Sequence, residues 1–95
     1  MITWGDYELI KLTVNLKLFT IEVKEIQNTL NIELPEESKV IDLLYHLSLL
    51  FPMIKIIDEK RTSYVLCVVN NTAVTLNEVL KEGDRISILP LIDGG

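Results

Sequence analysis

The sequence predicts an α+β fold, a roll in which one main helix crosses a mixed sheet of four or five strands. Three observations support this prediction. Apolar and polar residues alternate strictly over 10–18, the pattern of a strand with one buried face. Apolar residues at helical spacing over 38–51 predict the helix. Apolar runs at 65–69 and 85–89 predict two further strands.

The first two strands are predicted to pair with each other in antiparallel orientation. Their apolar positions are Ile10, Leu12, Val14, Leu16 and Leu18 in the first strand, and Leu30, Ile32 and Leu34 in the second. The alternation breaks over residues 20–26, where the apolar spacing favours a short helical turn or irregular loop over a tight hairpin.

The helix is predicted to follow Pro35 and to stop at Pro52. Ser38 is the predicted N-cap. Acidic residues cluster near the positive end of the helix dipole, namely Glu36, Glu37 and Asp42. The stripe expected to pack on the sheet comprises Val40, Leu43, Leu44, Leu47, Leu50 and Phe51. His46 lies one position off this stripe without a Cys or His at ligand spacing, which indicates a surface residue and not a metal ligand.

The second half of the chain is predicted to hold the remaining strands. Residues 53–64 are a connection with a charged centre at 58–61. The continuously apolar run Val65–Val69 is typical of a strand buried on both faces, and it therefore predicts a central strand. Residues 73–74 suggest a brief strand. Residues 76–80 predict a single helical turn that packs Leu76, Val79 and Leu80.

Two turns complete the predicted sheet. Asn70 and Asn71 tolerate left-handed backbone and therefore predict a turn after the central strand. Residues 81–84 predict a second turn, in which Gly83 takes a positive φ. This turn leads into the last strand, Arg85–Leu89.

Composition narrows the class of partner. The net charge of −5 argues against a nucleic-acid backbone and favours a basic protein. Cys67 is the lone cysteine of an apolar run, which predicts a buried thiol and a reducing compartment. Neither a signal peptide nor a membrane span is evident, so we expect a cytoplasmic chain that does not bind membranes. The residues offer no nucleophile and base pair, metal cluster or phosphate loop.

The last two residues of the sequence, Gly94 and Gly95, carry the strongest functional signal. At ordinary glycine usage this ending arises by chance in about one chain in two hundred. Glycine adopts most backbone conformations, so a flexible tail over about 90–95 can enter a narrow channel and present the Gly95 carboxylate to another enzyme. A carboxylate reacts readily only once it is activated, so the tail implies ATP-dependent adenylation by a partner. The alternative is an ordinary frayed terminus.

The order of several segments resembles the MoaD/ThiS sulfur carriers of the ubiquitin-like β-grasp fold. The matching segments are Leu34–Leu44, Val68–Val74, Leu80–Ile86 and Ile88–Gly95. Leu18 and Phe19, followed by residues 23–26, resemble the MoaD branch, the small subunit of molybdopterin synthase. The resemblance implies a single β-grasp domain over residues 1–95.

The resemblance also implies a reaction cycle. A ubiquitin-activating-type enzyme of the MoeB/ThiF kind would use ATP and magnesium to adenylate Gly95, and a sulfur donor would convert it to a thiocarboxylate. The loaded tail would then enter a MoaE-like large subunit and deliver sulfur to the pterin precursor of molybdopterin. The chain itself would be a non-catalytic cosubstrate that binds no cofactor.

Residues around the last strand are candidates for partner binding. Leu89, Leu91 and Ile92 would supply apolar anchors, although Leu89 and Leu91 could instead alternate into the core. Arg85 would pair with a partner acid or a neighbouring Glu, and Asp93 would steer the tail towards a basic site.

Three other functions use the same features. The chain could be a protein modifier that forms isopeptide bonds through Gly95, or a carrier for thiamine synthesis or tRNA thiolation. It could also be a binding module for which the two glycines are incidental, in which case an added residue after Gly95 would change nothing.

Overall fold

The part of the chain that the structure describes forms a five-stranded mixed sheet packed against one helix, as predicted. A computed structural model describes residues 8–19 and 25–91. The elements are β1 (Leu9–Phe19), β2 (Glu25–Pro35), α1 (Val40–Leu50), β3 (Val65–Val69), β4 (Thr72–Ala73) and β5 (Arg85–Pro90). The strand order is β2-β1-β5-β3-β4, with β1 parallel to β5 and the other neighbours antiparallel. This is the β-grasp arrangement that the sequence resemblance implied.

The hairpin of β1 and β2 confirms the predicted antiparallel pair. Its register runs without interruption from Leu9 opposite Pro35 to Phe19 opposite Glu25. The apolar positions of β1 are all buried, since alternate side chains of a strand point to one face. β2 begins at Glu25, five residues earlier than its first predicted apolar position. Most of the predicted connection, residues 20–24, lies outside the described residues.

Helix α1 covers one face of the sheet, but its N-cap prediction is wrong. The cap is Lys39, whose backbone N–H donates to Asp42 Oδ2 at 2.8 Å, as the predicted acidic first turn favours. Ser38 is occupied elsewhere, because its hydroxyl donates to the Pro35 carbonyl at 2.6 Å in the preceding turn. The helix ends at Leu50, just before Pro52.

The buried stripe of α1 differs from the prediction at both ends. Four predicted positions are completely buried, namely Val40, Leu43, Leu44 and Leu47. Ile41 is buried as well, because residues 76–80 pack against the first turn and the Ile41 N–H donates to the Leu76 carbonyl at 3.1 Å. Phe51 is half-buried as the C-cap. Leu50 does not belong to the stripe, since it is largely exposed at the last helical position.

β3 is not the central strand that its apolar run predicted. β5 occupies the centre of the sheet, between β1 and β3, and β3 lies next to the short edge strand β4. Only one face of β3 is buried, through Val65, Cys67 and Val69. Leu66 on the other face is 38% exposed. The run is continuously apolar because β3 contributes to both the core and an open apolar surface.

Both predicted turns are confirmed, but the helical turn predicted between them is wrong. Asn70 and Asn71 both have positive φ, and Gly83 has a φ of 81°. Residues 76–80 form a turn and an isolated bridge to Lys39 in place of a helical turn. Leu80 is buried and Leu76 half-buried, but Val79 is 42% exposed, because the bridge turns its side chain away from the core.

The connection between α1 and β3 is more ordered than its mixed composition indicated. Ile54 and Ile56 are buried in the core. The charged centre forms a turn around Asp58, whose Oδ1 accepts the backbone N–H groups of Lys60 and Thr62 at 2.9 Å. These hydrogen bonds, led by that from Thr62, hold the pKa of Asp58 below its ordinary value.

Candidate functional site

The predicted site begins where β5 ends. Pro90 is the last residue of β5, and the N–H of Leu91 donates to the Tyr64 carbonyl at 3.4 Å. The four residues predicted to form the tail and part of its docking surface, Ile92, Asp93, Gly94 and Gly95, lie outside the described residues. The tail therefore begins at the end of the central strand of the sheet.

Pro90 helps to end the central strand. Successive backbone N–H groups of a strand point to opposite neighbours. Since the Leu91 N–H points towards β3, the nitrogen of Pro90 faces β1, and proline has no hydrogen to donate there. The pairing of β5 with β1 accordingly ends at Ile88 opposite Leu16, whereas pairing with β3 continues to Pro90 opposite Val65.

The sheet face that α1 does not cover, which we call the open face, carries an apolar pair beside the tail. Leu66 of β3 lies opposite Leu89 of β5. Leu89 is only half-buried, whereas Ile86 and Ile88 are completely buried on the helix side. Leu91 continues the same alternation and is 56% exposed. Leu89 and Leu91 therefore do not alternate into the core, and both remain available for contact.

Leu66 belongs to this surface but was missed by sequence reasoning. The assignment of β3 as a strand buried on both faces placed the Leu66 side chain in the core. Pairing the two apolar strands β3 and β5 in the sequence analysis could have identified Leu66, because their register places it opposite Leu89. Val68 extends the apolar surface along β3, where it lies opposite Ser87.

Basic residues of β1 and β5 lie on the open face. Arg85 is exposed and lies opposite Thr13 of β1, at the far end of β5 from the tail. Lys17 follows Leu16, the last residue of β1 that pairs with β5. Lys11 and Lys17 are exposed on the same face of β1, since odd-numbered residues of this strand point away from the helix. Glu33 of β2 lies opposite Lys11 on the same face, so acidic residues partly balance these basic ones.

Tyr64 connects the root of the tail to the rest of the domain. Its N–H donates to the Ile56 carbonyl at 2.8 Å, and its hydroxyl donates to Asp58 Oδ2 at 3.0 Å. Lys55 Nζ lies 4.4 Å from the centre of its ring, within the range of a cation–π contact. Leu91 is thus hydrogen-bonded to a residue that is itself fixed on three sides.

The other candidate reactive groups belong to the core and to α1. Cys67 is buried, and desolvation raises the pKa of its thiol to about 11, so the thiolate is scarce at neutral pH. His46 is half-buried on α1. Among the described residues, no cluster of three acidic, His or Cys side chains could hold a metal ion. A groove of about 530 Å³ lies at the opposite end of β5, beside Asn70, Val79 and Lys81.

No helix of the described part of the chain is both long and apolar enough to cross a membrane.

Comparisons with known proteins give a family match that covers most of the chain. The model of the ThiS family matches residues 16–95. Among curated proteins, none matches the chain.

Solved structures share the fold. SAMP1 from Haloferax volcanii has a TM-score of 0.65 and 22% identity, with 87% of this chain and 99% of that chain covered. A putative molybdopterin converting factor, subunit 1, from Pyrococcus furiosus has a TM-score of 0.59 and 27% identity, with the same coverage. A second structure of the H. volcanii small archaeal modifier protein 1 has a TM-score of 0.62 and 18% identity, with 85% and 99% covered.

Proposed function

Because the chain belongs to the ThiS family, we propose that it is a sulfur carrier whose Gly95 is the C-terminal residue that becomes adenylated and thiocarboxylated. We further propose that it donates this sulfur in molybdopterin biosynthesis, as the small subunit of molybdopterin synthase. The 27% identity to a putative molybdopterin converting factor, subunit 1, supports this pathway.

One observation carries the proposal. The central strand runs directly into the tail, and exposed apolar side chains stand beside the point where the chain leaves the sheet. The core does not include Leu66, Leu89 or Leu91, so their apolar surface is available to a partner that binds the tail. The match to the ThiS family extends to Gly95 itself.

The chemistry would take place in partner enzymes. A carboxylate oxygen of Gly95 attacks the α-phosphorus of ATP, and pyrophosphate leaves. A hydrosulfide ion from a donor then attacks the carbonyl carbon, AMP leaves with the bound carboxylate oxygen, and the proton of the hydrosulfide is lost to solvent. One oxygen of the original carboxylate is thereby replaced by sulfur. ATP and magnesium belong to the adenylating enzyme. The contribution of this chain is to deliver the carboxylate on a narrow tail from a fixed root.

The open face would be used by two partners in turn. The adenylating enzyme and the large subunit of the synthase must each hold the same tail, so they cannot bind at once. We propose that Leu89 and Leu91, with Ile92, provide the apolar contacts to both. Arg85 would pair with an acidic group of the partner, and Asp93 would guide the tail towards a basic active site.

The pathway is tested by supplying thiocarboxylated protein to the large subunit of molybdopterin synthase together with the pterin precursor. We expect molybdopterin to form and the chain to return to its carboxylate form. A thiamine thiazole synthase and a tRNA-thiolating enzyme serve as alternative acceptors. Sulfur transfer to either of these, with none to the pterin, would contradict the proposed pathway while leaving the carrier role intact.

A protein modifier is the second candidate, since the same tail would serve it and the fold is shared with a structure named a small archaeal modifier protein. In that function the activated Gly95 forms an isopeptide bond with a lysine of a target. Affinity-tagged chain recovered from host lysate under denaturing conditions separates the two functions. A ladder of covalent conjugates, absent when Gly95 is deleted, would favour the modifier.

A further inference from the structure

An exposed apolar cluster at the end of α1 has no role in the core. It consists of Leu49, Leu50 and Met53, which we call the helix-end patch. Leu49 is 81% exposed, Leu50 50% and Met53 49%. The inward residues of the same helix are completely buried, so the patch is not needed to hold α1 on the sheet. It lies on the helix side of the sheet, away from the open face.

The topology brings the helix-end patch to the end of the domain where the tail leaves. α1 starts beside the segment that leads into β5, because the Leu80 N–H donates to the Ser38 carbonyl at 2.8 Å. The helix therefore starts near the beginning of β5 and runs towards its end. After the helix, Ile56 accepts a hydrogen bond from Tyr64, the residue that also binds Leu91. The C-terminal end of α1 and the tail root thus share one end of the domain.

The length of the tail limits how far from the domain a partner that binds Gly95 can lie. Residues 92–95 span at most about 14 Å when fully extended. A partner that encloses Gly95 must therefore reach the end of the domain. Packed layers of secondary structure lie on the order of 10 Å apart, so the helix side is within reach of the same partner.

We propose that the adenylating enzyme, when it receives the tail, contacts the helix-end patch as well as the open face. This inference rests on the proposed function. The partner would hold the end of the domain in a cleft with apolar walls on both sides and the tail channel at its base. Met53 suits such a contact, since its flexible side chain adapts to different surfaces.

The size of the patch argues against a second copy of the chain as its occupant. Stable protein interfaces bury about 800 Å² per partner and involve about 20 to 30 residues a side. Three side chains supply only a fraction of this area. Combined with Leu66, Leu89 and Leu91 across the tail root, the patch would form part of a surface of the required size.

The contact is tested by chemical footprinting with Leu49→Cys. The exposed position should tolerate the change, and the native Cys67 is buried with little thiolate. We expect maleimide to label position 49 rapidly in the free chain. Bound to the host's adenylating enzyme with ATP, the same position should react at least tenfold more slowly. Val79→Cys is the control, since Val79 is 42% exposed beside the start of β5, away from the tail.

Kinetics provide an independent readout. Leu49→Gln should raise the KM for the carrier about tenfold in adenylation, at unchanged kcat, whereas Val79→Gln should leave both values unchanged. Rapid labelling of position 49 in a complex that adenylates the tail would overturn this inference and leave the proposed function intact. Slow labelling in the free chain would also overturn it, because the patch would then be covered by the chain itself or by a second copy. If the wild-type chain is not adenylated by the enzyme, the proposed function itself is contradicted.

Discussion

Ile88 and Leu89 are neighbours on β5 whose replacement should have opposite consequences. Ile88 is completely buried against α1, so Ile88→Ala should cost about 3–4 kcal/mol of the free energy of unfolding. A domain of this size has a total of about 5–14 kcal/mol, and the loss should lower the Tm by about 12–32 °C. Leu89 is half-buried on the open face, so Leu89→Ala should cost under about 1 kcal/mol.

The functional effects should run the other way. Leu89→Ala should reduce the rate of adenylation at low carrier concentration, because an apolar anchor beside the tail is lost. Ile88→Ala should be adenylated normally at a temperature where it remains folded. Urea unfolding and pyrophosphate release measure the two properties on the same samples. Equal destabilisation by both changes would refute the assignment of Leu89 to the open face, and normal adenylation of Leu89→Ala would refute its role in docking.

Three further predictions concern the scaffold. Gly83→Ala should cost about 1–2 kcal/mol in urea unfolding, because φ is +81° while no atom lies near the added Cβ; an unchanged midpoint would contradict that backbone cost. The pKa of Asp58 is lowered in the folded state, so its stabilisation is complete above its unfolded value of about 3.8 and is lost as pH falls through the folded value. Acid titration of Asp58→Asn should accordingly show a shallower loss of stability than the wild type, and parallel curves would count against this. Cys67 should resist iodoacetamide at pH 8 in the folded chain and react on unfolding, because burial raises its pKa to about 11; rapid native labelling would show that the thiol is accessible.

Local patterns in the sequence were sufficient to predict the features that depend on neighbouring residues alone. The strict alternation of β1 and the positive φ of Gly83 follow from side-chain periodicity and backbone sterics, and both are confirmed. The N-cap could not be predicted, because Ser38 is engaged by the Pro35 carbonyl in a turn that the sequence does not specify. The burial of Ile41 depends on residues 76–80, which come into contact with α1 only in the folded chain.

Only part of the candidate site was predicted, because the rest depends on contacts that form in the folded chain. The position of Leu89 and Leu91 beside the tail follows from their place in the chain. Leu66 joins them only through the register of β3 with β5, and continuous hydrophobicity cannot distinguish a central strand from one that faces an apolar surface. The helix-end patch was missed because Leu50 fits the helical stripe, although as the last residue of α1 it is 50% exposed.

The central claim is that Gly95 carries the transferable group, and intact mass measurement tests it most directly. The chain is incubated with ATP, a sulfide source and the host's adenylating enzyme, beside a chain that lacks Gly95 and one with a residue added after it. We predict that the intact chain alone gains the mass that corresponds to replacing one oxygen by sulfur. All three chains should unfold at the same urea concentration, since a tail contributes few buried contacts. An unchanged mass for the intact chain, with an enzyme that activates a known carrier, would contradict the account.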